Sequence, residues 1–131
     1  MRRRGFMCAL LAVSAGAARR ACAYDIANPF TNEAFAAAQK AGKPILVDVW
    51  ASWCPTCAKQ MPTLTALSGD PAFRDMVVFR VNFDTRKDVV RAFGVRMQGT
   101  MIVFHGAREV ARAVGETAPE AIRALLASGL G

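Results

Sequence analysis

The stretch PILVDVWASWCPTC, residues 44–57, decides the fold. Its first half, Pro44–Trp50, is a short apolar run rich in β-branched residues, which predicts a strand buried on both faces. From residue 54 to about residue 68, methionine and leucine recur at three-residue spacing and predict a helix. Two cysteines therefore stand where a buried strand gives way to a helix.

This position gives the cysteines a chemical use. Unpaired backbone N–H groups and the positive end of the helix dipole favour an anion at Cys54, so its thiol is expected to ionise more easily than that of a free cysteine. A thiolate attacks a disulfide sulfur, and Cys57, one helical turn on, can then resolve the mixed disulfide. The spacing predicts a nucleophile at Cys54 and a resolving thiol at Cys57.

The stretch 47–57 resembles the active-site segment of the thioredoxin superfamily. The resemblance rests on the Cys-Pro-Thr-Cys motif, Asp48, both tryptophans of the segment, the Ala51-Ser52 pair and Pro62. It extends more loosely from about Phe30 to the end of the chain. It leans towards secreted bacterial reductants, such as the thioredoxin-like domain of the transmembrane disulfide reductase DsbD and the cytochrome c maturation thioredoxins. It implies an α/β thioredoxin-like fold, a central mixed β-sheet with helices on both faces, and a thiol:disulfide oxidoreductase.

Asp48 is the third candidate catalytic residue. An acid inside an apolar strand is costly unless it is paired or protonated, so we interpret it as a buried carboxyl that exchanges protons with Cys57. An acid turned to solvent at a strand end is the alternative. Arg80 aligns with a lysine that lies near the buried acid in thioredoxins; it either tunes Asp48 or is simply solvated.

One position departs from the family pattern. The superfamily places a cis-proline immediately before Thr100, opposite the cysteines, and this chain has Gly99. The cis-proline presents extended backbone to the substrate, whereas glycine can adopt the required angles but does not enforce them. The expected substrate-docking surface consists of five residues: Trp53, Pro55, Thr56, Gly99 and Thr100.

The first residues have the features of an export signal. Residues 1–5 are basic, residues 6–18 are apolar or small, and Ala21-Cys22-Ala23 is a cleavage site of the A-x-A type. We expect a signal peptide at residues 1–23 and a periplasmic protein cleaved near Ala23. An uncleaved anchor is the alternative, and Arg3-Arg4 leaves open a twin-arginine export route.

The net charge also differs between residues 1–23 and residues 24–131. The 17 basic residues exceed the 10 acidic ones by seven, but five of the basic residues precede Tyr24 and no acidic residue does. The remaining 12 basic residues against 10 acidic ones leave +2, which does not favour a nucleic-acid partner. Residues 24–131 are then expected to be one thioredoxin-like domain and a monomer.

Of the four cysteines, Cys8 and Cys22 fall in the predicted signal, so the mature chain keeps Cys54 and Cys57 and no structural disulfide framework is possible. We expect protein disulfides or dithiols as partners, with a membrane thiol electron donor as a further candidate, and no cofactor. The direction of exchange is open from sequence, with a reductant preferred.

A copper or zinc carrier using the same cysteine pair is the alternative function. Met61 and Met97 could assist Cu(I) binding, although core filling is their commoner use. Covalent haem attachment would need histidine where Ala58 stands.

Outside this segment the pattern predicts the order helix, strand, helix, strand, helix, hairpin, helix. The last helix is expected to begin at a capping box made by Thr117 and Glu120. Residues 28–30 are expected to be a lead-in without regular structure.

Overall fold

A computed structural model describes residues 28–131, which form one sheet with helices packed on both faces. The strands are β1 (Asn28–Pro29), β2 (Pro44–Trp50), β3 (Val77–Asn82), β4 (Thr100–His105) and β5 (Arg108–Val114). The helices are α1 (Asn32–Lys40), α2 (Pro55–Ser68), α3 (Lys87–Ala92) and α4 (Pro119–Ala127), with 3-10 turns at Pro71–Phe73 and Ser128–Leu130. The predicted signal, residues 1–23, lies outside the described residues.

The sheet is mixed, with strand order β1-β3-β2-β4-β5. β1 and β2 both run parallel to β3, whereas β4 runs antiparallel to β2 and to β5. β2 is the central strand, and its inner five residues are all buried. The cysteine segment follows the end of this strand, so the buried centre of the sheet supports the site.

Alternation along β2 divides the core into two layers. Ile45, Val47 and Val49 face α1 and α3 in a core rich in phenylalanine, where neighbouring rings lie 5.2 to 6.0 Å apart. Leu46 faces α2 and α4 in the second core. Asp48 and Trp50 share the parity of Leu46, so their side chains point to the same side of the sheet as the helix that follows the cysteines.

Two local expectations were wrong. Residues 28 and 29 are not an irregular lead-in, because they pair with Phe79 and Arg80 as a short parallel edge strand. α4 has no Thr117 capping box: Pro119 occupies its first turn, and the preceding Ala118 makes no side-chain capping bond. Instead the Glu116 carboxylate accepts hydrogen bonds from the backbone N–H groups of Thr117 and Ala118.

Within residues 28–131, no helix has both the length and the apolar character needed to span a bilayer.

Candidate active site

Cys54 is the N-cap of α2. Its backbone is extended, with φ −84° and ψ 112°, and Pro55 follows at the first helical position, where its missing N–H costs no hydrogen bond. The Sγ atom of Cys54 accepts a hydrogen bond from the backbone N–H of Cys57 at 3.1 Å. The sulfur therefore takes the place of the oxygen that usually caps a helix, at the positive end of the helix dipole.

Cys54 and Cys57 are paired as a disulfide, with their Cα atoms 5.3 Å apart. The two residues are only 3% and 7% exposed, and they cluster with Ala51 against Trp50 and Phe83. The sequence prediction that one helical turn brings both sulfurs together is confirmed. The arrangement can therefore close a disulfide within one helical turn.

Asp48 lies in the middle of β2 and is 2% exposed. Its neighbour in register on β3 is Arg80, whose Nε atom lies 3.4 Å from Asp48 Oδ2. The Arg80 guanidinium also lies 4.2 Å from the centre of the Trp50 ring. Asp48 is therefore buried and does not face solvent. Arg80 is paired with it and is not simply solvated. The ion pair offsets part of the cost of burying the carboxylate.

Gly99 immediately precedes β4 and lies against the Cys54–Cys57 segment. It has φ +78°, a conformation that a side chain disfavours, and its N–H donates to Val49 O at 2.8 Å. A Cβ atom at this position would lie 3.2 Å from Cγ2 of Thr56, one of the two residues between the cysteines. No peptide bond among residues 28–131 is cis, so the glycine replaces the family's proline with a different backbone geometry.

The other expected docking residues differ in how accessible they are. Trp53 is 57% exposed and its indole Nε1 donates to Asp84 Oδ2 at 2.7 Å. Pro55 is exposed and Thr56 is half-buried. Thr100 is 1% exposed and its hydroxyl donates to Met97 O at 2.7 Å, so the whole residue is buried behind the surface that Trp53, Pro55 and Thr56 present.

Two residues at the site were missed from the sequence. Asp84 orients the exposed Trp53 through the hydrogen bond above. Gln60 is 1% exposed, and its side-chain amide donates to the carbonyl oxygens of Gly99 and Glu116 at 3.0 and 2.9 Å. The signal for Gln60 was its spacing: it follows Cys57 by three residues and precedes Leu64 by four, which places a polar side chain on the buried face of α2.

The part of the chain that the structure describes contains no group of three or more His, Cys, Asp or Glu side chains that could hold a metal ion. His105 lies at the far end of β4, where its Nδ1 is 2.9 Å from Gly129 O. Met61 packs against the second core, and Met97 is 54% exposed. A metal ion at the cysteine pair would have two thiolates as its ligands, short of the four that close a structural zinc site.

Comparison with known proteins gives one consistent result. A family model described as thioredoxin matches residues 27–128. A thioredoxin of Alicyclobacillus acidocaldarius subsp. acidocaldarius is 33% identical over 100 residues, which are 76% of this chain and 94% of that protein. The crystal structure of Trxlp from Edwardsiella tarda EIB202 is 47% identical and superposes with a TM-score of 0.73 over 75% of this chain and 95% of that one. The oxidised form of mitochondrial thioredoxin 3 from Saccharomyces cerevisiae shares the fold at 21% identity, with a TM-score of 0.66 over 78% of this chain and 94% of its own.

Proposed function

The chain belongs to the thioredoxin family and is a thiol:disulfide oxidoreductase, and we propose that it acts outside the cytoplasm as a reductant of protein disulfides. The observation that carries the proposal is the Cys54 sulfur at the N-cap of α2, within reach of Cys57. The relative with 33% identity over 100 residues is itself called a thioredoxin.

The reaction begins with both cysteines reduced. The Cys54 thiolate attacks one sulfur of the substrate disulfide, a mixed disulfide forms, and the other substrate sulfur leaves as a thiolate that takes up a proton. The backbone N–H of Cys57 and the helix dipole stabilise the attacking anion at the N-cap. The protein and its substrate are then joined by one S–S bond, and the reduction is complete only when this bond is resolved.

Resolution is the second step. Asp48 accepts the proton of the Cys57 thiol, directly or through water, and the resulting thiolate attacks the Sγ atom of Cys54. The Cys54–Cys57 disulfide forms, and the second substrate sulfur leaves as a thiolate that takes up a proton. Two electrons have then passed from the cysteine pair to the substrate, and an external dithiol must reduce the pair before the next turnover.

Burial supports the direction that we propose. Both cysteines are almost inaccessible and contact Trp50 and Phe83, and an apolar surrounding favours the disulfide, which has no polar hydrogen to satisfy, over the dithiol. A stable disulfide makes the dithiol a good electron donor.

The potential of the pair tests this direction. Equilibration with glutathione buffers, followed by alkylation and mass spectrometry, should place the pair nearer to thioredoxin, at about −270 mV, than to the oxidant DsbA, at about −120 mV. A value near that of DsbA would overturn the reductant assignment. In the same preparation, stoichiometric copper or zinc after anaerobic purification would instead support the metal carrier.

Export is the second part of the proposal and depends on residues 1–23. Five arginines, no acid and a small-residue cleavage site support it. Cell fractionation should recover the protein in the periplasm with a new N-terminus near Tyr24. The Arg3→Lys, Arg4→Lys double variant should remain in the cytoplasm if the twin-arginine route is used, and export of that variant would indicate the general secretory route. Recovery of wild type in the cytoplasm at full length would contradict export.

A further inference from the structure

Gln60 connects α2 to the Gly99 turn, by which we mean the backbone at Gly99 that leads into β4. It lies one helical turn after Cys57, and the Nε2 atom of its amide donates to Gly99 O at 3.0 Å and to Glu116 O at 2.9 Å. Gly99 precedes β4 and Glu116 follows β5, so one side chain binds both ends of the hairpin. Gly115 N–H also donates to Gly99 O at 3.0 Å, which joins these two ends to each other.

Both partners of the amide are acceptors, and this fixes its orientation: the NH2 group must face the carbonyl oxygens. The other atom of the amide, Oε1, is buried without a hydrogen-bond partner among the described residues. A half-satisfied amide is a poor core residue compared with leucine or methionine. The presence of glutamine at this position is therefore explained by its two donated hydrogen bonds and not by packing.

The Gly99 turn needs such a restraint. Glycine has the largest backbone freedom of any residue. Here it has φ +78°, and a Cβ atom added to it would lie 3.2 Å from Cγ2 of Thr56. Its N–H and its carbonyl are held by Val49, Gln60 and Gly115. Of these three, Gln60 alone lies on α2, so its hydrogen bond joins that helix directly to Gly99.

We propose that Gln60 is a positioning residue: its amide holds the Gly99 turn against the Cys54–Cys57 segment, and the docking of a protein disulfide depends on this hold. The inference rests on the proposed function, because it assigns to Gln60 the geometry of the surface that a protein substrate meets. It assigns to Gln60 no part in the sulfur chemistry.

The test compares wild type with Gln60→Met, which keeps the volume and removes both donors. We expect the KM for insulin disulfides to rise about tenfold with kcat unchanged. A tenfold change is the size expected when binding loses the contribution of about one hydrogen bond. With the small disulfide of 2-mercaptoethanol, which needs no docking surface, the two proteins should react at the same rate. The amide protons of Gly99 and Gly115 should exchange faster with solvent in the variant.

Two controls separate positioning from stability. Gln39→Met makes the same chemical change on α1 and should leave every readout unchanged. Ile122→Val trims the fully buried Ile122 of α4 and should lower the melting temperature without changing the KM or the exchange at Gly99. If Gln60→Met does not fold, Gln60→Asn, which is too short to reach both carbonyls, replaces it.

The outcomes are distinct. An unchanged KM together with unchanged exchange at Gly99 and Gly115 would overturn the proposal, as would failure of both variants to fold, since Gln60 would then be a purely structural residue. Failure of wild type to reduce insulin would instead contradict the proposed function, and the exchange measurement would still decide whether Gln60 holds the turn.

Discussion

The Nε atom of Arg80 lies 3.4 Å from Oδ2 of Asp48, and the two residues are direct neighbours on parallel strands. Asp48 is 2% exposed, whereas a quarter of the Arg80 side chain reaches solvent, at 25% exposure. The same guanidinium covers Trp50, which packs against the cysteine cluster. Arg80 thus connects the buried acid, the cysteine cluster and solvent.

Replacing Arg80 by methionine should slow the resolution step. The guanidinium stabilises the buried Asp48 carboxylate that accepts the Cys57 proton, so its loss should lower the resolution rate by about tenfold at pH 7. Arg80→Lys retains the charge and should keep a rate close to that of wild type. Stopped-flow measurement of Trp fluorescence at pH 7 checks both variants. Equal rates for wild type and Arg80→Met would show that the ion pair does not support the acid.

Replacing Asp48 by asparagine should slow resolution and leave capture unchanged. The amide cannot accept the Cys57 proton, and loss of a general base typically lowers a rate by about 10²-fold. Asp75→Asn, at an exposed position, is the matched control and should behave as wild type. Rapid quenching with an alkylating agent separates the two steps. Equal resolution rates in the two variants would exclude Asp48 as the proton acceptor.

Alanine substitutions at Gly99 and Gly94 separate the effect of backbone strain from the effect of contact with Thr56. Both have positive φ, at +78° and +64°, so alanine at either should cost about 1 kcal/mol of unfolding free energy. Alanine at Gly94 would meet nothing within 4 Å, whereas at Gly99 it would lie 3.2 Å from Thr56 Cγ2.

Only Gly99→Ala should therefore also impair reduction of a protein disulfide. Urea unfolding and an insulin reduction assay measure the two effects. An equal loss of activity in Gly94→Ala would mean that strain alone, and not contact with the cysteine turn, is responsible.

Asp70, which lies away from the cysteine site, is expected to make the stability of the fold depend on pH. The backbone N–H of Ala72, and secondly Arg123, lower the pKa of Asp70 below its ordinary value of 3.8. A depressed folded-state pKa means that the carboxylate stabilises the fold above about pH 5 and that this stabilisation is lost as the pH falls through the folded value.

Asp70→Asn keeps an oxygen for the Ala72 bond and removes the charge that faces Arg123. It should melt below wild type at pH 7, and the difference should vanish at the acidic end of the range. Arg123→Gln should show the same pattern, and the double variant should add little to either, because both remove one interaction. A difference between wild type and Asp70→Asn that is constant with pH would contradict this assignment.

Much of the fold was predictable because its signals are local. β2 has the predicted bounds, Pro44–Trp50, since a β-branched apolar run followed by Cys-Pro leaves little alternative. The helix predicted from residue 54 to about residue 68 is α2; it begins one residue later, at Pro55, because Cys54 is its N-cap. The mixed sheet and its helical layers followed from the order of these elements and from the family resemblance.

The features that were missed depend on contacts distant in sequence. β1 has two residues, too few to show a period, and exists only because β3 offers it an edge. The Asp48–Arg80 pair was named as one of two alternatives and could not be decided, because it requires the register of β2 on β3, which is not contained in either strand's sequence alone. Gln60 meets Gly99 and Glu116, 39 and 56 residues away. The Thr117 capping box failed because Pro119 moves the helix start by one residue, which leaves Glu120 out of reach of the cap.

Trapping of the mixed disulfide tests the central claim most directly, namely that Cys54 captures a substrate sulfur and Cys57 releases it. Reduced Cys57→Ser mixed with a disulfide-bonded protein should accumulate a covalent adduct, and peptide mass spectrometry should locate it at Cys54. Wild type should show the adduct only transiently, and Cys54→Ser should form none and should not reduce the substrate. Reduction by Cys54→Ser at the wild-type rate, or an adduct held by Cys57 in the wild-type protein, would contradict the account.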